Sequence, residues 1–403
     1  MLTKSQEFAK KEIQKFINDS VNTCMCISGK PGTGKSYFVK EIIPQLIRGK
    51  YEYALTATTN KAAAVIDGVT TYSFFGLRVT FKEGDYVIND SNLKRIYNTV
   101  IVVDEASMLD WELFKIITTA IVRCKFIFVG DMNQLPAIKG GINVFEKYPV
   151  VELTDVVRQK KEDLINVIDK ARNNIKKACI MDKIQESDNI HILKTKDEVA
   201  EVIKKFGYKD KILAYTNATV IAYNKWFREL TGRSPELQLG DLVVNKTYCS
   251  SYVNPSFSMY AEQEGIISDV SEPMVLDLTT RQVYEDTVFD EGEKEIPFRV
   301  RKVYLMDCEY PFLIAEDAGL HRTLLKATAK EKNWKDHFFL KERISDLRDN
   351  MACTVHASQG STYNNVFIDL RDIKTCRAMS VKTRLIYVAL SRAKENIYIY
   401  DKE

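Results

Sequence analysis

Gly29-Lys30-Pro31-Gly32-Thr33-Gly34-Lys35-Ser36 satisfies the phosphate-loop pattern G-x-x-x-x-G-K-[ST] at every defined position. The apolar run Thr23-Cys24-Met25-Cys26-Ile27 before it reads as a buried strand. After it, Tyr37 to Ile47 reads as a helix with Phe38, Val39, Ile42, Ile43 and Leu46 on one side. Glycines let the backbone curl until its amides face an anion, and the helix N-terminus adds its partial positive charge. Gly32, Thr33 and Gly34 would cradle the phosphates of a nucleotide. Lys35 would reach its β- and γ-phosphates, and Ser36 would hold Mg²⁺.

Working outward, residues 4–19 read as a helix with Ala9, Ile13, Phe16 and Ile17 on one side and Gln6 just ahead of that stripe. Downstream, Tyr53-Ala54-Leu55-Thr56-Ala57 is a short strand, followed by Thr58-Thr59-Asn60-Lys61 and the helix 62–66. A hydroxyl-rich turn there suits a phosphate or a nucleic-acid backbone, and ordinary capping by Thr59 or Asn60 has the same appearance. Thr70 to Gly76 is a second polar and aromatic turn, containing Ser73 and Phe74. Val79-Thr80-Phe81 and Tyr86-Val87-Ile88 flank Gly84-Asp85, so residues 77–96 read as a β-hairpin leaving the core.

Thr99 to Val103 is an almost wholly apolar strand that runs into Asp104-Glu105. A carboxylate at a strand end can hold Mg²⁺ through water, and its neighbour can orient or deprotonate the attacking water. A helix over 110–121 and the strand Lys125 to Val129 lead to Gly130-Asp131-Met132-Asn133-Gln134-Leu135-Pro136, where Gln134 suits a γ-phosphate sensor. In a parallel sheet all these carboxyl ends meet on one edge. Val151 to Thr154 is another strand, with Arg158 following it, and 161–176 reads as a helix where a second core begins.

Lys211 to Asn217 is a strand and polar turn, followed by a helix to Leu230. From about 236 to 349 short strands and polar turns dominate, as in a small barrel or open sheet. Leu320 to Leu347 within that stretch reads as helical, with Trp334, Phe338, Ile344 and Leu347 as its stripe. The α/β pattern resumes at 350–403, with a strand at 366–370, a helix at 384–392 ending in Arg392 and a strand at 396–400. Two α/β cores interrupted by a β-rich insertion account for this order. Closure of two such cores on one nucleotide would bring an arginine to the γ-phosphate, and Arg158 and Arg392 are the candidates.

Composition sets wide bounds. The 403 residues, 45% apolar and 28% charged, form a soluble globular composition with room for several domains. A formal net charge of +3 neither requires nor excludes a nucleic-acid partner, since a basic groove fits inside a near-neutral total. No apolar run is long enough for a transmembrane helix, and the first residues lack the apolar region of a signal peptide. Eight cysteines without paired C-x-x-C knuckles are expected to be free thiols in a reducing cytosol, with Cys24 and Cys26 as packing residues.

Taken together, the chain resembles superfamily 1 helicases of the 5′-to-3′ branch. The resemblance is to the Dda-type helicases of T4-like phages in particular, with RecD- and Pif1-type enzymes as relatives. Gly29–Ser36 looks like motif I, Thr56–Ile66 like motif Ia, and Thr70–Ser73 like motif Ib. Asp104-Glu105-Ala106-Ser107-Met108 resembles motif II, and Gly130–Pro136 motif III. Arg158 falls where motif IV has its arginine. Thr354-Val355-His356-Ala357-Ser358-Gln359-Gly360 matches motif V, and Tyr387-Val388-Ala389-Leu390-Ser391-Arg392-Ala393-Lys394 matches motif VI. Leu2 to Gln6 looks like the Q motif. Two positions depart: Thr58 stands where motif Ia often has proline, and Tyr72 where motif Ib usually has histidine.

The resemblance implies two RecA-like P-loop domains. Residues 1–160 would be the first, with the 77–96 hairpin as a strand-separating pin. Residues 161–235 and 350–403 would form the second, interrupted by an SH3-like insert with a helical extension at 236–349. It implies ATP and Mg²⁺ as cofactors, adenine reading by Gln6, metal held by Ser36 and Asp104, and water activation by Glu105. Gln134 would sense the γ-phosphate, Arg158 and Arg392 would stabilise the transition state, and Gly360 would permit close backbone approach. Single-stranded DNA would cross Thr59, Asn60, Ser73, Phe74, Asn217, Thr354 and His356, with Tyr86, or Phe81, stacking at the pin. The expected protein is a monomeric, cytoplasmic 5′-to-3′ DNA helicase acting on forks beside replication or single-strand-binding proteins. A nucleic-acid-stimulated switch, a non-enzymatic scaffold and an RNA substrate are the alternatives.

Overall fold

Six parallel strands form the first sheet, in the order Val150–Leu153, Cys24–Gly29, Lys125–Gly130, Thr99–Asp104, Glu52–Ala57, Val69–Thr70. The computed structural model describes residues 2–82, 85–137, 140–157, 161–177, 179, 184–285 and 298–401. The three central strands are buried along their whole length, as near-continuous apolar runs between helical layers must be. Alternation splits them between two cores. Met25, Ile27, Val100, Val102, Ile127 and Val129 face the helix Lys4–Asn18, through Ala9, Ile13, Phe16 and Ile17. Cys24, Cys26, Ile101, Val103, Phe126 and Phe128 face the helix Trp111–Thr119, through Leu113, Phe114 and Ile117. Cys24 and Cys26 are thus packing residues, and burial pushes the Cys26 thiol up to about 12. All eight cysteines are free.

The helix after the phosphate loop departs from the expected regular stripe. It starts as Lys35–Tyr37, loosens into a π-helical stretch over Phe38–Ile42, and resumes as Ile43–Ile47. Pro44 lies just past the loosened turn, where it cannot donate to the i−4 carbonyl. The slip moves Ile47 into the core and leaves Ile42 and Leu46 only half-buried. The turn at 70–76 also proves more ordered than read. It is a single helical turn, Thr71–Phe74, capped by the Thr70 hydroxyl accepting from Ser73 N.

The second sheet has the order Ile190–Leu193, Ala393–Tyr400, Tyr363–Asp369, Lys211–Ala214, Ala352–Thr354, with parallel registers among the first four. The helices Glu162–Lys177 and Met379–Leu390 share its core, through Leu164, Val167, Ala171, Leu385 and Ile386. Two parallel α/β sheets are the RecA-like arrangement expected from the sequence. Both lie in one compact unit made of residues 1–220 and 353–403. The hairpin pairs Arg78–Lys82 with Asp85–Asn89 and sets Phe81 opposite Tyr86, whose side chains lie outside the described residues. No helix among the described residues is long and apolar enough to cross a membrane.

Residues 221–352 form the other compact unit. Its sheet is antiparallel and runs Gln282–Glu285, Met274–Asp277, Arg299–Leu305, Glu264–Val270, Leu242–Asn245, Leu347–Asp349. Phe312–Ala315 pairs with Arg299–Leu305, and in parallel with Ile344–Ser345. The helical run expected through Leu347 ends at Arg343. It consists of the helices Ala318–Lys330 and Trp334–Arg343. Ile344 and Leu347 are buried as strand residues, while Trp334 and Phe338 are about half exposed and Leu340 is the buried anchor of its helix. Charge-mixed sequence hides the change from period 3.6 to period 2 when the strands are only two or three residues long.

One buried cation organises this unit. Arg228 Nη1 meets Asp241 Oδ2 at 2.8 Å and Asp349 Oδ1 at 2.5 Å, and Arg233 Nη1 meets Asp241 Oδ1 at 2.5 Å. Arg228 and Asp241 are 5% and 2% exposed, so removing the cation leaves the buried Asp241 with Arg233 alone and takes the pairing cation from the half-buried Asp349. Arg228→Ala is expected to lower the unfolding free energy by about 3–5 kcal/mol, read from urea melts. A loss below about 1 kcal/mol would contradict that assignment.

Candidate nucleotide and nucleic-acid site

The phosphate loop is braced from the N-terminus. Thr3 and Gln6 form a capping box on the first helix, with Thr3 N donating to Gln6 Oε1 at 3.0 Å. Gln6 Nε2 donates to Thr33 O at 3.0 Å. Gly34 has a φ of +80°, a conformation that favours glycine, and a Cβ there would lie 2.8 Å from Gln6 Nε2 and displace that amide. Gln6 is 4% exposed and both ends of its amide are engaged within the protein. Thr33 Oγ1 donates to Lys30 O at 2.9 Å, and Gly32 also adopts a positive φ. Lys35 Nζ donates to Gly29 O at 2.7 Å and Lys30 O at 3.1 Å. Burial pulls its ammonium below the ordinary value, against the opposing pull of Asp131, Glu105 and Asp104.

Asp104 and Glu105 end the strand Thr99–Asp104 beside this loop. Asp104 is 4% exposed and its Oδ1 accepts from Glu105 N at 2.9 Å. Burial, then the Glu105 charge, pushes its carboxyl well above the usual range. Glu105 Oε2 and Ser107 Oγ are buried without a hydrogen-bond partner among the described residues. A lysine, a hydroxyl, two crowded carboxylates and unpaired polar atoms form a donor set suited to a triphosphate and a hard divalent cation.

The loop after the strand Lys125–Gly130 is held from the second sheet. Tyr387 OH donates to Asp131 Oδ2 at 2.6 Å, with Asp131 and Tyr387 both fully buried. Arg384 Nη1 donates to Met132 O at 2.7 Å and Gln134 O at 2.8 Å. Gln359 Nε2 lies 3.5 Å from Gln134 Oε1, at the outer limit of a hydrogen bond. Arg172 Nη2 donates to Glu152 Oε1 at 2.8 Å, and its Nε lies 2.8 Å from the Asn133 amide once the amide oxygen faces it.

Arg392 is 3% exposed and held by carbonyls and a hydroxyl. It donates to Val388 O at 3.1 Å, Ser361 O at 3.1 Å and Ser391 Oγ at 2.9 Å. Burial pulls its guanidinium below the ordinary value, and Glu105 opposes that. Gly360 has a φ of +76°, and its Cβ position lies 3.9 Å from Glu105 Oε1, so the 354–360 loop reaches the acidic pair.

Lys35, Asp104, Glu105, Gln134, Gly360 and Arg392 are therefore gathered in one place. Arg158 lies outside the described residues. Reading from motifs alone gave no role to Arg172 and Arg384, and took Gln359 and Tyr387 only as parts of a match. Arg384 and Tyr387 lie three residues apart on the helix Met379–Leu390, a spacing that puts them on one side.

The residues expected to face nucleic acid fall at two strand edges. Thr59 caps the helix Asn60–Val65, accepting from Ala62 N at 3.2 Å, so its hydroxyl already serves a local role. Ser73 is exposed and Phe74 packs edge-on against Phe75 at 5.2 Å. Tyr72 faces inward: its hydroxyl donates to Asp110 Oδ2 at 2.8 Å, the carboxylate that caps the helix Trp111–Thr119. At the second edge Val355 N donates to Ala214 O at 2.8 Å, and the rings of His356 and Tyr215 lie 6.3 Å apart. Asp372 accepts from the amides of Tyr215 and Thr216 at 2.6 and 2.8 Å, fixing the turn that presents exposed Asn217. Thr354 Oγ1 accepts from Ala357 N at 3.2 Å.

Residues 2–195 match the AAA domain family and residues 350–400 the UvrD-like helicase C-terminal domain. The chain is 23% identical over 440 residues to the ATP-dependent DNA helicase dda of Enterobacteria phage T4, covering 98% of each. It is 22% identical over 465 residues to the RecBCD enzyme subunit RecD of Buchnera aphidicola, covering 98% of this chain and 73% of that one. The Pif1 helicase from Candida albicans shares the fold, with a TM-score of 0.55 at 17% identity over 100% of this chain and 95% of that one. A Pif1 helicase from Bacteroides in complex with ADP-AlF3 and ssDNA has a TM-score of 0.53 at 18% identity, over 99% and 92%. The class is a phosphate-loop ATPase with a helicase C-terminal domain. Within it the chain is similar over nearly its whole length to the Dda and RecD helicases, and its fold is that of the Pif1 helicases.

Tyr387→Phe removes one donor from the fully buried Asp131 carboxylate. It is expected to lower stability by about 1–3 kcal/mol in urea melts. A change under about 0.5 kcal/mol would show that Asp131 is satisfied without it.

Proposed function

We propose that this protein is an ATP-dependent helicase that translocates 5′ to 3′ on single-stranded DNA and separates duplex at the 78–89 hairpin. The observation that carries the reading is the gathering of Lys35, Asp104–Glu105, Gln134 and Arg392 from two sheets around one phosphate loop. The kinship with Dda, RecD and Pif1 supports DNA as the load and supports the polarity.

In this reading residues 1–160 are the first motor domain and 161–235 with 350–403 the second, with 236–349 inserted. Bound Mg²⁺ would neutralise charge developing on the transferred phosphoryl group. Ser36 and Asp104 would hold the metal. Lys35 would leave the carbonyls of Gly29 and Lys30 for the phosphates. Glu105, with an unpaired buried oxygen, would orient and deprotonate the attacking water. Arg392, held ready by backbone carbonyls, and Arg158 would bring fixed positive charge to the transition state. Gln134 would report the γ-phosphate to the second sheet through Arg384 and Gln359. Adenine reading by Gln6 would draw on the amide hydrogen that Thr33 O leaves unused.

Thr59, Asn60, Ser73 and Phe74 on one edge, and Asn217, Thr354 and His356 on the other, would contact the DNA backbone and bases. Such contacts are largely independent of sequence and weaken with salt. Tyr86 is the proposed pin residue.

Forked substrates carrying a single 5′ or 3′ tail test the reading, with RNA run in parallel. Displacement from the 5′-tailed DNA fork alone is expected. Displacement from a 3′ tail alone would overturn the polarity, and equal action on RNA would overturn the DNA assignment. Glu105→Gln is expected to bind ATP normally and to lose about 10²–10⁴-fold in single-stranded-DNA-stimulated ATPase. An unchanged turnover would remove Glu105 from the chemistry.

A further inference from the structure

We infer that Thr58 is a positioning residue that couples the nucleic-acid-facing turn at 58–60 to the Glu105 carboxylate. The inference rests on the helicase reading and adds the route by which a bound strand would act on hydrolysis. Glu105 adopts a φ of +51° and ψ of +39°, the left-handed region that a residue with a Cβ enters at a cost. This twist turns the chain from the strand Thr99–Asp104 into the short turn Ala106–Met108.

Thr58 holds the twist with two donors. Its N–H donates to Asp104 O at 3.2 Å, and its hydroxyl donates to Glu105 O at 3.0 Å. The Asp104 carboxylate takes the remaining group, accepting from Glu105 N at 2.9 Å. The peptides on both sides of the Glu105 Cα are thereby held, and the direction of its side chain follows from them. A proline at position 58, with neither N–H nor hydroxyl, would supply neither bond of Thr58.

The other side of Thr58 joins the surface turns. Thr58 follows the strand Glu52–Ala57 and directly precedes Thr59, the cap of the helix Asn60–Val65. The buried Thr71 hydroxyl, from the second turn, donates to Ala57 O at 3.1 Å and to Thr56 Oγ1 at 3.2 Å. Thr56 Oγ1 in turn donates to Val102 O at 2.8 Å. Both turns expected to carry nucleic acid are thus tied by hydroxyls to the strand that ends in the acidic pair. A strand of nucleic acid drawing on either turn displaces the Thr58 donors against Asp104 and Glu105.

Thr58→Val keeps the shape and removes the hydroxyl, and Thr58→Ser restores it. On the full chain, ATPase kcat and KM are measured without DNA and at saturating oligo(dT). Oligo(dT) Kd by fluorescence anisotropy and the thermal midpoint accompany them. Thr58→Val is expected to lower the oligo(dT)-stimulated kcat about five- to tenfold, the worth of one hydrogen bond. Its DNA-free kcat should fall less, KM and Kd should stay within about twofold, and Thr58→Ser should recover most of the stimulation. If valine impairs folding, Thr58→Ala assayed below its own midpoint serves in its place.

An unchanged stimulation ratio overturns the inference, as does an equal fall with and without DNA or a failure of serine to rescue. A wild-type ATPase indifferent to oligo(dT) would instead overturn the helicase reading, and this inference with it.

Discussion

A fully buried carboxylate, Asp131, is the constraint on which the motor unit depends. It directly follows a strand of the first sheet and takes its proton donor, Tyr387 OH, from a helix packed on the second. In low dielectric such a contact is strong when made and expensive to leave unmade. Arg384 adds two charge-assisted bonds to the carbonyls on either side of Asn133, so the loop is held by its backbone as well as by a side chain. Whatever moves Gln134 therefore moves the helix Met379–Leu390, and Arg392 lies just beyond the end of that helix.

The nucleotide-facing groups show the opposite condition. Lys35 rests on carbonyls of its own loop, Glu105 Oε2 and Ser107 Oγ have no partner among the described residues, and burial beside a second acid pushes the Asp104 carboxyl up. Buried polar atoms left unpaired beside a phosphate loop are suited to a ligand. Around them the scaffold is rigid: Gln6 braces Gly34 from behind, and Thr58 braces Glu105 from the side. The groups that must change partners are mounted on groups that already have theirs.

Much of this was legible in the chain because it is local. Strand, loop and helix around Gly29–Ser36 follow from apolar runs and glycines, and the central strands of the first sheet from their continuous apolar runs. The misreadings share one cause, a short-range feature that pattern cannot resolve. Pro44 sits beside a π-helical stretch and rotates the stripe, so Ile47 is buried where Leu46 was expected. Ile344 and Leu347 lie in strands too short to show alternation. Tyr72, noted only as a departure from the usual histidine, is a separate case: its hydroxyl is spent on the cap of a helix that begins at Trp111.

By itself, the sequence determined which residues stand at the phosphate loop and the strand ends beside it, since lysine, hydroxyl, paired acids and glycines at set spacing have few other uses. It also determined that two α/β cores flank an insertion. Only the tertiary structure decided how the groups are held. The Gln6 amide braces the loop, Thr58 pins a left-handed Glu105, and Tyr387 and Arg384 clasp a loop some 250 positions away. The physical reason is that a hydrogen bond depends on distance and direction between atoms, and sequence separation encodes neither once the chain has crossed from one sheet to another. Local backbone preference can nominate the loop that binds phosphate, and packing chooses the residues that keep it in place.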